Sequence, residues 1–157
     1  MPAAERQQYI QMIREFPEQF SALVSQFTDE QLELRVAEGE WSTRQIVHHV
    51  ADSHMNANNR FRLPITESSP ALPVYDQDAY ARQADYALPL DVSLAIIRGL
   101  HARWVVLLES LTDAQWRMVG THPEWGAVDL EEIVRRYADH GINHINQINT
   151  IRAKHGF

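Results

Sequence analysis

The sequence predicts an all-α fold, a four-helix bundle with a long crossover between two similar halves, and three observations predict it. Apolar residues recur at steps of three or four over four long stretches. The first half of the chain aligns with the second. No segment of comparable length shows the alternation expected of a strand.

Residues 4 to 27 carry Tyr9, Met12, Ile13, Phe16, Phe20, Leu23, Val24 and Phe27 on one stripe, with a bend expected at Pro17. Thr28-Asp29-Glu30-Gln31 has the form of a capping box, so a short turn of helix should follow before Gly39 breaks the pattern. Ser42 is placed to cap a second long helix, running through His48, His49 and His54 to about Glu67, with Pro64 expected to fray or kink its end. Residues 68 to 90 hold Pro70, Pro73 and Pro89 around Tyr75-Asp76-Gln77-Asp78-Ala79-Tyr80, which reads as a crossover with one helical turn. Asp91 or Ser93 should start a third long helix, with Leu94, Ile97, Leu100, Trp104, Leu107, Leu108 and Leu111 inward. Asp129 should cap the last, whose stripe is Ile133, Tyr137, His140, His144, Ile148 and Ile151.

The internal match supports this order. Phe20 aligns with Trp104, Phe27-Thr28-Asp29-Glu30-Gln31 with Leu111-Thr112-Asp113-Ala114-Gln115, and Glu40-Trp41 with Glu124-Trp125; after a three-residue insertion, Ile46-Val47 aligns with Ile133-Val134 and Ala51-Asp52 with Ala138-Asp139. A duplicated helical hairpin would give the second and fourth long helices equivalent places, bringing His49 towards His140 and His144.

Composition bounds the function. With 157 residues, 45% of them hydrophobic, residues 1–157 suffice for a single domain around one core. A net charge of -7 with no basic block offers no footprint for nucleic acid or an anionic membrane. The absence of cysteine excludes disulfides, thiolate zinc sites and a cysteine nucleophile, leaving histidine and carboxylate as the strong ligands. Neither a leader pattern nor a run of 18 apolar residues is present, and a cytoplasmic protein is expected.

His140 and His144 lie four apart, one above the other on an apolar stripe where a bundle ordinarily places Leu or Ile. A buried imidazole needs partners, and a pair at this spacing with a second histidine cluster on another helix points to a metal site. His48, His49 and His54 are all candidates for the third ligand. His49 shares a row with Ile46, Ser53, Asn56 and Arg60, apolar at one end and polar at the other as a pocket wall would be, and spacing favours it only modestly.

The stretch WSTRQIVHHVADSHMNANNRFRLPITE, the element PVYDQDAY and the later HPEWGAVDLEEIVRRYADHGINHI together resemble the YfiT-like branch of the DinB superfamily, over nearly the whole chain. That resemblance implies a four-helix bundle with a long crossover, a metal-dependent hydrolase or thiol S-transferase activity, frequent homodimers, and His49, His140 and His144 as the ligands. Relatives commonly read His-His-x-x-His, whereas this chain has His140-Gly141-Ile142-Asn143-His144. The triad survives, and any role of the missing ring is put in doubt.

Three imidazoles leave a fourth position on a divalent ion, which distinguishes catalytic zinc sites from closed structural ones. There the pKa of bound water falls to about 7, or a substrate thiol is held as thiolate. One divalent ion per chain is expected, zinc or nickel, with a low-molecular-weight thiol as a cosubstrate and a small molecule as the partner. The reaction expected is transfer of that thiol to an electrophile or hydrolysis by metal-bound water, and the alternative is a metal-binding or stress-response bundle without turnover. Asp52 and Asp139 are candidates for orienting ligand rings, while Asn56 and Arg60 extend the His49 face towards an anionic substrate or thiol. Trp41 is expected to pack against the end of the bundle.

Overall fold

A computed structural model describes residues 1–157. Its long helices are α1 (Ala3–Val24), α3 (Thr43–Thr66), α5 (Leu90–Glu109) and α7 (Leu130–His155); α2 (Asp29–Leu32), α4 (Gln77–Tyr80) and α6 (Asp113–Trp116) are single turns, and a 3-10 turn spans Ala84–Ala87. Pro17 and Pro64 lie inside α1 and α3 without ending them. Each forfeits a backbone hydrogen bond at a cost of about 3 kcal/mol, and the burial of Phe16, Phe20, Phe61 and their neighbours outweighs it.

The start signals act as the sequence predicts except at α5, which begins at Leu90 after Pro89 with no side-chain cap, so neither Asp91 nor Ser93 starts it. Thr28 and Gln31 form a reciprocal capping box on α2, Thr112 and Gln115 form its counterpart on α6, and Ser42 forms a third with Gln45 on α3. Asp129 caps α7 by accepting from the Glu132 N–H at 2.8 Å, and Gly156, at φ 77°, closes the helix in the left-handed conformation.

The fold is the mostly helical bundle expected, with two differences in detail. First, a short strand pair accompanies the helices: β1 (Val119–His122) and β2 (Gly126–Asp129) pair antiparallel, Val119 opposite Asp129 and His122 opposite Gly126. Each strand has only four residues, too few for alternation to register in the sequence. This hairpin fastens the crossover, because the Leu72 N–H donates to the Thr121 carbonyl at 2.8 Å and the Thr121 N–H donates to the Pro70 carbonyl at 2.9 Å. Second, the duplicated halves are not packed hairpins. α1 packs on α5 and α7, and α3 packs on the same two, so α1 and α3 stand on a diagonal. The equivalence of α3 and α7 survives, and these two helices are neighbours.

The bundle interior is divided along its length. One apolar core gathers Phe16, Phe20, Ile46, Val50, Ile97 and Ile148; the other gathers Ile10, Ile13, Phe61, Trp104, Leu130 and Ile133. Between them lie histidines. Gly141 is required by the packing of α7 on α1: a Cβ there would sit 2.7 Å from the Phe16 ring. That explains the departure from the His-His pattern, since no side chain fits without displacing Phe16. No helix is long and apolar enough to cross a membrane.

Candidate metal centre

α3 contributes His49, and α7 contributes His140 and His144. One ring nitrogen from each lies within 4.8 Å of the other two. The structure therefore brings together the three residues named from the sequence; His48 lies apart from them, and His54 touches His140 without joining the set. His48 faces α5, with Nδ1 2.7 Å from Ser93 Oγ and Nε2 3.0 Å from the Leu88 carbonyl, so both its nitrogens are engaged in holding the crossover to the bundle.

Hydrogen bonds decide which nitrogen of His140 is bare. His101 Nδ1 lies 2.6 Å from the Ile13 carbonyl, which only accepts, so Nδ1 carries the proton and Nε2 of the neutral ring accepts. His54 Nδ1, 2.9 Å from that Nε2, must then donate, leaving His54 Nε2 as an acceptor. His140 Nδ1, 3.3 Å from His54 Nε2, donates in turn, so His140 Nε2 carries no proton and presents its lone pair to the site, with the Ser53 hydroxyl 3.4 Å away. His144 reaches the same state by a separate route: its Nδ1 donates to Gln147 Oε1 at 2.9 Å. Its Nε2 faces His140 Nε2 at 3.1 Å.

Two bare nitrogens at that separation repel one another unless something positive lies between them. The distance is close to the edge of a tetrahedron built from zinc–nitrogen bonds of about 2.0–2.1 Å, roughly 3.3 Å. The donor set thus fits a divalent ion. His49 completes it with a ring held between Trp41, at 4.5 Å between ring centres, and the Tyr75 hydroxyl, 3.3 Å from Nδ1. Trp41 packs where the sequence placed it and also fixes the His49 ring.

Burial keeps these rings neutral, as ligation requires. It pushes His49 down to about 3, with the charge of His144 as a lesser cause. It holds His54 and His140 well below the ordinary value, the neighbouring histidines adding to the effect. For His144 burial lowers the pKa against the opposing hydrogen bond to Gln147.

The carboxylates expected to orient these rings do otherwise. Asp52 accepts from the Tyr86 hydroxyl at 2.6 Å, and Asp139 pairs with Arg135 at 3.2 Å. In place of acids, the outer partner of His140 is another imidazole. Asn56 donates to the Asp52 carbonyl at 3.0 Å within its own helix, which leaves Ser53 and Arg60 as the members of the His49 row that line the site. Sequence reasoning missed His101. It falls on the inward stripe of α5, between Ile97 and Trp104 in register, and an imidazole there was the available signal.

The three histidines do not share one exposure to solvent. His49 and His140 line a cleft of about 570 Å³, together with Ser53, Tyr75, Tyr137 and the crossover residues Val74 to Gln77. Its far wall is contributed by the β-hairpin, through His122, Glu124 and Trp125. The crossover and the hairpin thus form a mouth over His49 and His140, and the volume suits a small molecule.

Comparison with known proteins gives a consistent result. The family model for the DinB superfamily matches residues 12–148. A relative from Oceanobacillus iheyensis, named "putative metal-dependent hydrolase", is 37% identical over 92% of this chain and 84% of its own length. A relative from Bacillus mycoides with the same name is 38% identical over 93% and 84%. The structure of YfiT from Bacillus subtilis, described as a probable metal-dependent hydrolase with an unusual four-helix bundle topology, superposes with a TM-score of 0.96 at 35% identity, covering 100% of this chain and 91% of that one. A mutant of the mycothiol-dependent maleylpyruvate isomerase has a TM-score of 0.70 at 18% identity, over 94% of this chain and 61% of that one, and shares the fold.

Proposed function

The chain belongs to the DinB superfamily, and on that premise we propose that it is a metal-dependent enzyme that delivers a small nucleophile to an electrophile held in the cleft. His49, His140 and His144 would hold the ion. A divalent ion on three neutral imidazoles supplies Lewis acidity, favouring the deprotonated form of a thiol or a water that takes the remaining position. The observation that carries this reading is the pair of bare nitrogens of His140 and His144 converging beside His49 on a cleft wide enough for a substrate.

A thiol is the nucleophile we favour. The groups hydrogen-bonded to the three rings are Ser53, Tyr75, His54 and Gln147. None is a carboxylate, and burial pushes the Tyr75 hydroxyl far up, so the immediate surroundings offer no general base for a water. A thiol needs only to lose its proton before attack; the carbon–sulfur bond then forms as the leaving group departs or the electrophilic double bond takes up the electron pair. Ser53 and Tyr75 line the mouth and would orient the reactants. Hydrolysis is the second reading, supported by the names of the relatives at 37% and 38% identity.

The test is a screen of the metal-loaded protein with bacillithiol, mycothiol and glutathione against a model electrophile, beside ester and amide substrates. Conjugation that is lost in His140→Ala supports the proposal. Turnover confined to the ester or amide arm overturns the choice of thiol, and silence in every arm by a protein that retains metal favours a binding bundle without turnover.

A further inference from the structure

The wall of the cleft away from the three ligand rings carries a second set of polar groups. Arg60 is 5% exposed, and its partners are neutral: Nε and Nη2 donate to the Pro73 carbonyl at 3.0 and 2.6 Å, and Nη1 donates to the Tyr137 hydroxyl. A guanidinium has five N–H groups, and two of these five are left without an acceptor. No carboxylate pairs with it. Arg135 and Arg136, at the same cleft, are by contrast tied to Glu132 and Asp139.

His122 is the second component. It is 2% exposed, and its Nδ1 accepts the Glu124 backbone N–H at 3.2 Å, which fixes the proton on Nε2. That Nε2 is buried and has no partner. A buried donor left unmade costs about 1–3 kcal/mol, and an unpaired buried cation costs more. Both expenses fall at one place, because Trp125 joins them: its ring stacks on His122 at 3.7 Å and 9°, and the Arg60 guanidinium lies 5.1 Å from the centre of the Trp125 ring. Burial and the positive charges of Arg60 and Arg136 also hold His122 in its neutral form, opposed by Glu124.

We infer that Arg60 and His122 form a subsite for an oxyanion, the carboxylate or phosphoryl group of the small-molecule substrate. The inference rests on the reading of this cleft as a substrate site and adds the chemical class of what enters it. An oxyanion accepts from the unengaged Arg60 N–H groups and from His122 Nε2–H, supplying the acceptors that both groups lack. Trp125, stacked on His122 and facing the Arg60 guanidinium, closes one side of the pair. Placing the anionic group at the hairpin wall leaves the remainder of the substrate to extend towards His49 and His140, which share the cleft. His122 therefore selects substrates without touching the reacting atoms.

The experiment is a titration of the full chain with acetate and, separately, with inorganic phosphate, followed through the Trp125 indole resonances, which every variant retains. The chain is used as purified and as His140→Ala, which removes the proposed metal site and keeps the hairpin wall. Saturable binding is expected in both forms, at least about tenfold weaker in Arg60→Met and in His122→Phe. The second variant retains the stack on Trp125 and serves if the first fails to fold. Saturation by one probe alone identifies a carboxylate or a phosphoryl group and supports the subsite. Affinity unchanged in His122→Phe overturns it, as does the absence of saturation by either probe up to about 100 mM. Binding abolished by His140→Ala and retained in His122→Phe would place the anion on the three ligand rings instead. Because anion binding is read without turnover, its failure is distinguishable from failure of the proposed activity.

Discussion

Replacing His101 by Leu should produce a stability deficit that shrinks on acidification. His101 is 2% exposed, donates to the Ile13 carbonyl and accepts from His54. Above pH 7 the variant loses both bonds and leaves a buried acceptor and a buried donor unmade, at about 1–3 kcal/mol each. The extra apolar contact of Leu returns part of this, so a deficit of about 2–4 kcal/mol is expected. Burial depresses the His101 pKa from 6.5 to about 4, against the opposing bond to Ile13. The unfolded chain therefore takes up a proton on His101 below pH 6.5 that the folded chain refuses until about pH 4, and parental stability falls across that window. The loss amounts to about 3 kcal/mol, at 1.36 kcal/mol per unit. Leu has no such penalty, so the deficit should close almost completely between pH 7 and pH 4. Urea unfolding of metal-free parent and variant, followed by circular dichroism at half-unit steps of pH, measures the gap directly, and the histidines that do not touch His101 cancel in the difference. Parallel curves, with a gap constant to about 0.5 kcal/mol, would refute both the depressed pKa and the buried hydrogen-bond chain that depends on it.

Other outcomes follow from the same geometry. His140→Ala and His144→Ala should each abolish tight binding of zinc or nickel, seen by elemental analysis after dialysis, while the far-ultraviolet spectrum stays helical; metal retained at the parental one ion per chain would sink the centre. His48→Ala should leave metal content unchanged and cost about 1–3 kcal/mol through the orphaned Ser93 and Leu88 groups. His54→Phe should weaken metal affinity about 10- to 100-fold without removing a ligand, because His140 loses the acceptor that fixes its proton on Nδ1; ring nitrogen chemical shifts of His140 in the metal-free protein report the change of tautomer. Gly141→Ala should destabilise by about 1–3 kcal/mol through the Phe16 contact, whereas Gly99→Ala, on an exposed turn of α5 with nothing within 4 Å, should stabilise by up to about 1 kcal/mol.

The helices and their starts were legible because they depend on local signals. Ser42, Thr112 and Asp129 act within three residues of themselves, and the apolar stripes need only a period. The diagonal placement of α1 and α3 was hidden, since a duplicated pair reads the same whether its members pack together or across the bundle. His140 and His144 were visible for the same local reason. His49 was separable from His48 and His54 chiefly through the resemblance, as three rings within two turns point in three directions and spacing favoured it only modestly. Asp52 and Asp139 misled because adjacency along a helix says nothing of where a carboxylate finds its donor; Tyr86 and Arg135 supplied nearer ones. His101 and His122 were missed for the opposite reason. Each is alone in its segment, and each acquires meaning from residues about 50 or more positions away: His54 and Ile13 for one, Arg60 for the other.

The division of the interior into two apolar cores follows from the layer of histidines between them. A bundle that placed Leu at positions 49, 54, 101 and 140 would join Phe16 and Ile97 to Phe61 and Trp104 in one continuous core, and each such residue would contribute about 1.5–3 kcal/mol. Instead the chain carries a layer of imidazoles, all with depressed pKa values, whose only mutual accommodation is to stay neutral and hand one proton orientation along from the Ile13 carbonyl. A layer serving structure alone would do as well with its protons in either direction. This one has a direction imposed at its buried end by a group that cannot donate, and it terminates in a bare nitrogen beside the cleft. The two apolar cores above and below hold the rings in place, so the stability forgone in the middle of the bundle is spent on the orientation of a single lone pair.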